Sequence, residues 1–134
     1  MAGQKYYIFL VILLVAGCAS VDQLTKMDKF EQTSNAYELS IRWSDFDMAG
    51  SFVKDKFDPQ LGPQIENLKQ FSVTDYKVKT FVPSADKTKV LIVADVQYFK
   101  KNNLILKKYS HRQIWEYDKE KERWFLTSGL PKLE

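Results

Sequence analysis

The stretch Thr88–Tyr117, TKVLIVADVQYFKKNNLILKKYSHRQIWEY, decides the fold. On both sides of Lys101-Asn102-Asn103 apolar residues alternate with polar ones, the pattern of half-buried strands and not of a helix. Asn102 and Asn103 tolerate the positive backbone angles that a two-residue hairpin turn needs. The segment therefore reads as an antiparallel hairpin, with strands over 88–100 and 104–117. Pairing Lys101 with Leu104 opposes Ala94 to His111, Asp95 to Ser110 and Val93 to Arg112. Because the side-chain period is two, this register also assigns faces. One face carries Val90, Ile92, Ala94, Val96, Tyr98, Tyr109, His111, Gln113 and Trp115. The other carries Leu91, Val93, Asp95, Gln97, Phe99, Leu106, Lys108, Ser110, Arg112 and Ile114. The first is the more aromatic and is expected to be the concave wall against which helices pack. On the second, Asp95 and Arg112 are diagonal neighbours and are expected to pair.

The alternation extends both ways. FSVTDYKVKTFV, 71–82, reads as a strand before the turn PSADKT, and RWFLTS, 123–128, as a last strand after the charged loop DKEKE. Upstream the period is helical. Asn35 and Glu38 have the spacing of a capping box. Ala36, Leu39, Trp43, Phe46, Gly50, Val53 and Phe57 then recur every three or four residues on one face, as far as Asp58-Pro59, where a helix must stop. A second stripe, Tyr37, Ile41, Met48 and Phe52, lies nearly opposite, so this helix is expected to be covered on two sides. PQLGPQIENLKQ gives a turn and a short helix, with Pro63 suited to its first helical position and Ile65 and Leu68 facing inward. Helices followed by an antiparallel meander make an α+β domain: one long N-terminal helix with short helical companions on a bent four-stranded antiparallel sheet.

The chain begins with a short positive segment ending at Lys5, followed by YYIFLVILLVAG. That run falls short of the roughly 20 apolar residues that cross a bilayer and fits the hydrophobic region of a secretory signal. Val15-Ala16-Gly17-Cys18 resembles the bacterial lipobox, with Val where Leu is commoner. The resemblance implies cleavage before Cys18, the only cysteine, and acylation of its thiol. Two or more chains make attachment stable where one is marginal. Residues 1–17 are then a signal peptide, 18–33 a lipidated tether becoming a short helix through Leu24, Met27 and Phe30, and 34–134 the folded domain. Ala19, where Asp would favour inner-membrane retention, implies the outer membrane facing the periplasm. The mature domain keeps no cysteine for a disulfide.

The order of elements and the strand lengths, over roughly 24–130, look like the NTF2-like (cystatin-like) fold. Arg112–Pro131, RQIWEYDKEKERWFLTSGLP, is similar to the ends of small NTF2-like domains of uncharacterised bacterial lipoproteins. The wider fold includes isomerases, dehydratases and many binding modules, so the resemblance leaves function open.

Twenty basic and seventeen acidic residues are well mixed, which gives no basic face for nucleic acid. One histidine and no dense carboxylate cluster argue against a transition-metal site, and MAGSFVKDK holds no phosphate loop. No cofactor is expected. His111 could move a proton in a cone-shaped pocket, as Asp or His does in catalytic members of the fold. The acids nearest to it in register, Asp95 and Glu116, point to the other face, so a hydrogen-bonded strand histidine is the competing reading. Tyr98, Tyr109, His111, Gln113 and Trp115 are either core or the wall of a pocket for a small apolar ligand. The functional expectation is a lipid-anchored, non-catalytic interaction module of the envelope. It would have a protein partner or a small apolar ligand, besides the membrane held through Cys18. The alternative is a small isomerase or hydrolase-like enzyme using His111.

Overall fold

In the computed structural model the backbone is described from Ala2, and side chains from Asp22 to Glu134; the expected signal segment and lipobox, with Cys18, lie outside the residues whose side chains are described. The elements are α1 (Ala2–Arg42), α2 (Phe46–Gly50), α3 (Leu61–Leu68), β1 (Phe71–Pro83), β2 (Lys89–Lys100), β3 (Asn103–Asp118) and β4 (Arg123–Leu126). The strands form one antiparallel meander in the order β1-β2-β3-β4. The class is α+β, with a long helix and two short ones on a four-stranded antiparallel sheet.

The central register is the expected one: Val93↔Arg112, Ala94↔His111 and Asp95↔Ser110. The turn is not. Lys100 pairs with Asn103, so the turn residues are Lys101 and Asn102. Among the described non-glycine residues only Ser44, Lys87 and Glu122 have positive φ. Between the Lys100↔Asn103 and Tyr98↔Lys107 pairs β3 advances further than β2, through a bulge. The excess is two residues, one full side-chain period, so the expected faces survive the misplaced turn. Val90, Ile92, Ala94, Val96, Tyr98, His111, Gln113 and Trp115 are all buried. On the open face Asp95 pairs with Lys108, at 3.6 Å, and not with Arg112. Both cations are diagonal neighbours of Asp95, and an exposed pair of this kind contributes at most about 1 kcal/mol.

The helical layer departs further. The segment expected to be a tether is part of α1, and its Phe30 is buried with Met27 packed alongside. Asn35 is an exposed mid-helix residue and caps nothing. The helix ends at Arg42, well before Pro59. Ser44 adopts a left-handed conformation, φ 56; its N–H donates to Ile41 O and that of Asp45 donates to Ser40 O. This is a Schellman ending, with serine where glycine is usual. Asp45 then caps α2, its carboxylate accepting from Met48 N at 3.1 Å. The buried stripe is Phe30, Tyr37 and Ile41, while Leu39, Trp43 and Phe57 are exposed.

The core fills the space between α1, α2, α3 and the covered sheet face, closed by Leu130 and Leu133 of the C-terminal segment. Phe30 meets Trp124 at 5.0 Å and Trp115 at 6.1 Å, both edge-on, the geometry favoured by ring quadrupoles. Both sheet edges receive hydrogen bonds from outside the sheet. Phe52–Lys54 lie along β4, with Leu126 N donating to Phe52 O and Lys54 N to Leu126 O. At β1, Val73 N donates to Ser44 Oγ and Arg42 Nη2 donates to Tyr76 O.

α1 runs antiparallel to β3. Lys26 Nζ lies 5.5 Å from the centre of the Tyr117 ring and Tyr37 meets His111. The Asp22 end of α1 is therefore beside the β3–β4 turn, and its Arg42 end points towards the β2–β3 turn. Among the described residues no helix is long and apolar enough to cross a membrane.

Candidate functional site: a sealed polar core and an exposed apolar hairpin

Four of the five residues expected to line a pocket come together on the covered face and are buried there: Tyr98, His111, Gln113 and Trp115. Tyr109 is half-buried beside them, its ring 6.2 Å from that of His111. The space in front of them is occupied. Tyr37 projects from α1 onto Trp115, at 5.3 Å, and its hydroxyl is hydrogen-bonded to His111 Nε2 at 2.8 Å. His111 is 2% exposed. Burial pushes it down to about 4, because the imidazolium would lose its hydration without gaining a counter-charge. The ring is neutral at ordinary pH. Burial also raises the Tyr37 phenol well above the usual value, and repulsion from the neighbouring Tyr76 and Tyr109 oxygens adds to that rise.

A second chain of bonds runs beside it. Trp115 Nε1 donates to Gln113 Oε1 at 3.0 Å, and Gln113 Nε2 donates to the Tyr76 hydroxyl at 2.7 Å. Burial pushes Tyr76 up to about 12, against the lowering effect of the Gln113 bond. Gln113 uses its carbonyl for one neighbour and its amide for the other, which lets a polar side chain sit in the centre of the sheet. No buried side-chain nitrogen or oxygen among the described residues lacks a partner. The arrangement fixes α1 on the sheet. A ring 2% exposed offers no surface to a substrate in this conformation.

Among the described residues no three His, Cys, Asp or Glu side chains group as metal ligands would.

The surface holds what the sequence reading passed over. At the tip of the β2–β3 hairpin, Leu104, Ile105 and Leu106 are exposed by 78%, 58% and 57%. Lys100 and Lys101 precede them and Lys107 and Lys108 follow, with no acidic residue from Phe99 to Gln113. The bulge produces this exposure, since it sets the three residues outside the regular pairing with β2. The outer edge of β3 is open here as well: β4 pairs only from Trp115 to Asp118, and Thr127 and Ser128 reach only Ile114. The signal in the sequence was the failure of alternation at Leu104-Ile105-Leu106. Three consecutive apolar residues cannot all face one side of a strand.

No family model matches the chain, and no curated protein matches it. Among solved structures it is similar to a SEC-C motif containing protein from Rhodopseudomonas palustris, at 11% identity over 79% of this chain and 76% of that chain, with a TM-score of 0.49. A likeness at that level carries no functional argument.

Proposed function

We propose that this protein is a lipid-anchored, non-catalytic interaction module of the bacterial cell envelope, of NTF2-like architecture, held by acylated Cys18 at the outer membrane facing the periplasm. The observation that carries the non-catalytic part is a division of side chains. The single histidine and its aromatic neighbours are consumed in the core, while three consecutive large apolar residues stand in solvent at a lysine-flanked hairpin tip. Soluble domains seldom leave such a patch uncovered unless something binds it. The anchor rests on Val15-Ala16-Gly17-Cys18 following the apolar run, and the NTF2-like reading on the order of helices and long strands.

The hairpin tip lies at the opposite end of the domain from the chain that leads to Cys18. An anchored domain would present it away from its own bilayer, to a protein partner whose apolar surface is rimmed by acids. The test uses the full-length protein in its native membranes, with a photo-crosslinking residue at Ile105. A discrete adduct that disappears when Leu104 and Leu106 are changed to Ser is the expected result. Adducts that survive those changes, or none from Ile105, would reject the hairpin as the binding surface. Mass spectrometry of the purified protein tests the anchor: a free thiol at Cys18 would reject it.

A further inference from the structure

At the other end of the domain, beside the β3–β4 turn, a cleft of about 240 Å³ is lined by Lys54, Lys56, Phe57, Lys121, Arg123 and Phe125. Its cations and aromatics are brought together by the fold. The bridge between Val53 and Leu126 lays the segment after Phe52 along β4, and the β3–β4 turn delivers Lys121 and Arg123 onto the Phe125 ring, at 5.4 and 4.9 Å. Residues 118–123 as a whole balance three cations against three acids. The fold sorts them so that no carboxylate lines the cleft, although Lys54 and Lys121 also act on Asp118, and Lys54 on Glu116, from beyond its wall. Asp118 turns back to accept from Lys121 N, and Asp55 from Phe57 N. Among the described residues none of the four cations is in an ion pair within 4 Å. Phe57 is 96% exposed beside them.

Position gives this cleft its meaning. Trp124 Nε1 donates to Lys26 O at 2.9 Å and Lys29 Nζ to Glu122 O at 3.4 Å. The chain leading back to Cys18 therefore leaves the domain beside the β3–β4 turn. From Lys26 to Cys18 is eight residues. They reach at most about 28 Å fully extended and about 12 Å as a helix. That is one to three Debye lengths at an ionic strength of about 0.1 M.

We propose that the cleft formed by Lys54, Lys56, Phe57, Lys121, Arg123 and Phe125 docks onto the phosphates of anionic lipids in the bilayer that holds Cys18, fixing the orientation of the domain. The inference deepens the reading of the protein as lipid-anchored and rests on it. Lys and Arg ammonium and guanidinium groups meet headgroup phosphates, and Phe57 enters the boundary between headgroups and acyl chains. The β2–β3 hairpin is then directed away from the surface.

The test uses full-length protein whose acylation at Cys18 has been verified by mass. A nitroxide is placed at Lys119→Cys, an exposed turn position, or at Leu104→Cys as the distal control. The protein is reconstituted into phosphatidylethanolamine vesicles with and without phosphatidylglycerol. Expected is a label at 119 that becomes shielded from an aqueous relaxant only in the anionic vesicles, while the label at 104 stays in water. High salt releases the shielding. Lys54→Gln and Lys56→Gln, both in an exposed segment away from the core, each lower the docked-to-free ratio by about fivefold. A label at 119 equally accessible in both vesicles, or shielding indifferent to the Lys→Gln changes, would overturn the proposal and leave the anchor standing. A chain lacking acyl groups at Cys18 would instead remove the anchor itself.

Discussion

The Tyr37 hydroxyl on α1 lies 2.8 Å from Nε2 of His111 on β3, and this bond joins the helix to the centre of the sheet. Burial keeps this imidazole uncharged in the folded protein, and the pH dependence of folding follows. His111 is pushed down to about 4 by burial, against about 6.5 in an unfolded chain. Between those values the unfolded chain binds a proton that the folded one excludes. Stability is therefore complete above about pH 6.5 and declines as pH falls towards 4, by about 3 kcal/mol in all. Glu116 and Asp118, whose carboxyls are held below their ordinary values by Thr127 and by the Lys121 amide respectively, keep their stabilising contribution down to their unfolded values of about 4 and lose it only as pH falls further. Urea unfolding between about pH 4.5 and 6.5 should show the slope in the native protein and lose it in His111→Gln. A flat native profile would mean that the ring accepts a proton in the folded state.

Gln113 should matter more to stability than Tyr37. Tyr37→Phe strands one buried ring nitrogen, at a cost of about 1–3 kcal/mol. Gln113→Leu removes both the acceptor of Trp115 Nε1 and the donor to the Tyr76 hydroxyl, and should cost about twice as much. Denaturant unfolding of the two variants, monitored by tryptophan fluorescence, gives the order. Equal costs would show that Tyr76 and Trp115 find other partners when Gln113 is lost.

The two stripes of α1 can be told apart by truncation. Phe30→Ala empties a site between Trp115 and Trp124 and should cost about 3–5 kcal/mol. Trp43→Ala, at a position 80% exposed, should stay within about 0.5 kcal/mol. Both are read from chemical denaturation of the full chain. A large loss at Trp43 with an unchanged fold would place a covering surface there.

That contrast also marks where the sequence was readable. The strands were legible because alternation is a strong signal and because face assignment depends only on parity, which the bulge after Tyr98 preserves. The helical layer was less so. Leu39 and Trp43 carry a stripe as apolar as that of Tyr37 and Ile41, and periodicity alone cannot say which one meets the sheet. The helix ends on Ser44 in a left-handed conformation that glycine normally marks, and no proline follows until Pro59. Propensity therefore ran past the true terminus. Of the candidate site, the identity of the covered wall was legible from register. Its closure by Tyr37 was not, since the Tyr37–His111 contact spans 74 positions along the chain.

The hairpin tip gives the last prediction. Leu104 and Leu106 lie outside the core and Ile105 is more than half exposed, so replacing all three by Ser should change the unfolding free energy by no more than about 0.5 kcal/mol per site. Lys100, Lys101, Lys107 and Lys108 repel a second copy of the same hairpin, so the tip should not self-pair even though the β3 edge beside it is open. The exposed apolar surface nevertheless remains sticky towards a complementary partner that carries acids. The triple Ser variant should keep its fold and its membrane fraction, while changing only Leu104 and Leu106 to Ser, with the crosslinking residue kept at 105, should lose the adduct formed from this face. Reversing Lys100 and Lys101 to Glu, which leaves the Lys108–Asp95 pair and the Lys107 contact with Glu134 O in place, should produce the same loss without removing any apolar area. If the charge reversal leaves capture intact, apolar contact alone drives recognition. If the triple Ser variant unfolds, the tip is a structural element and the binding surface must be sought elsewhere on the domain.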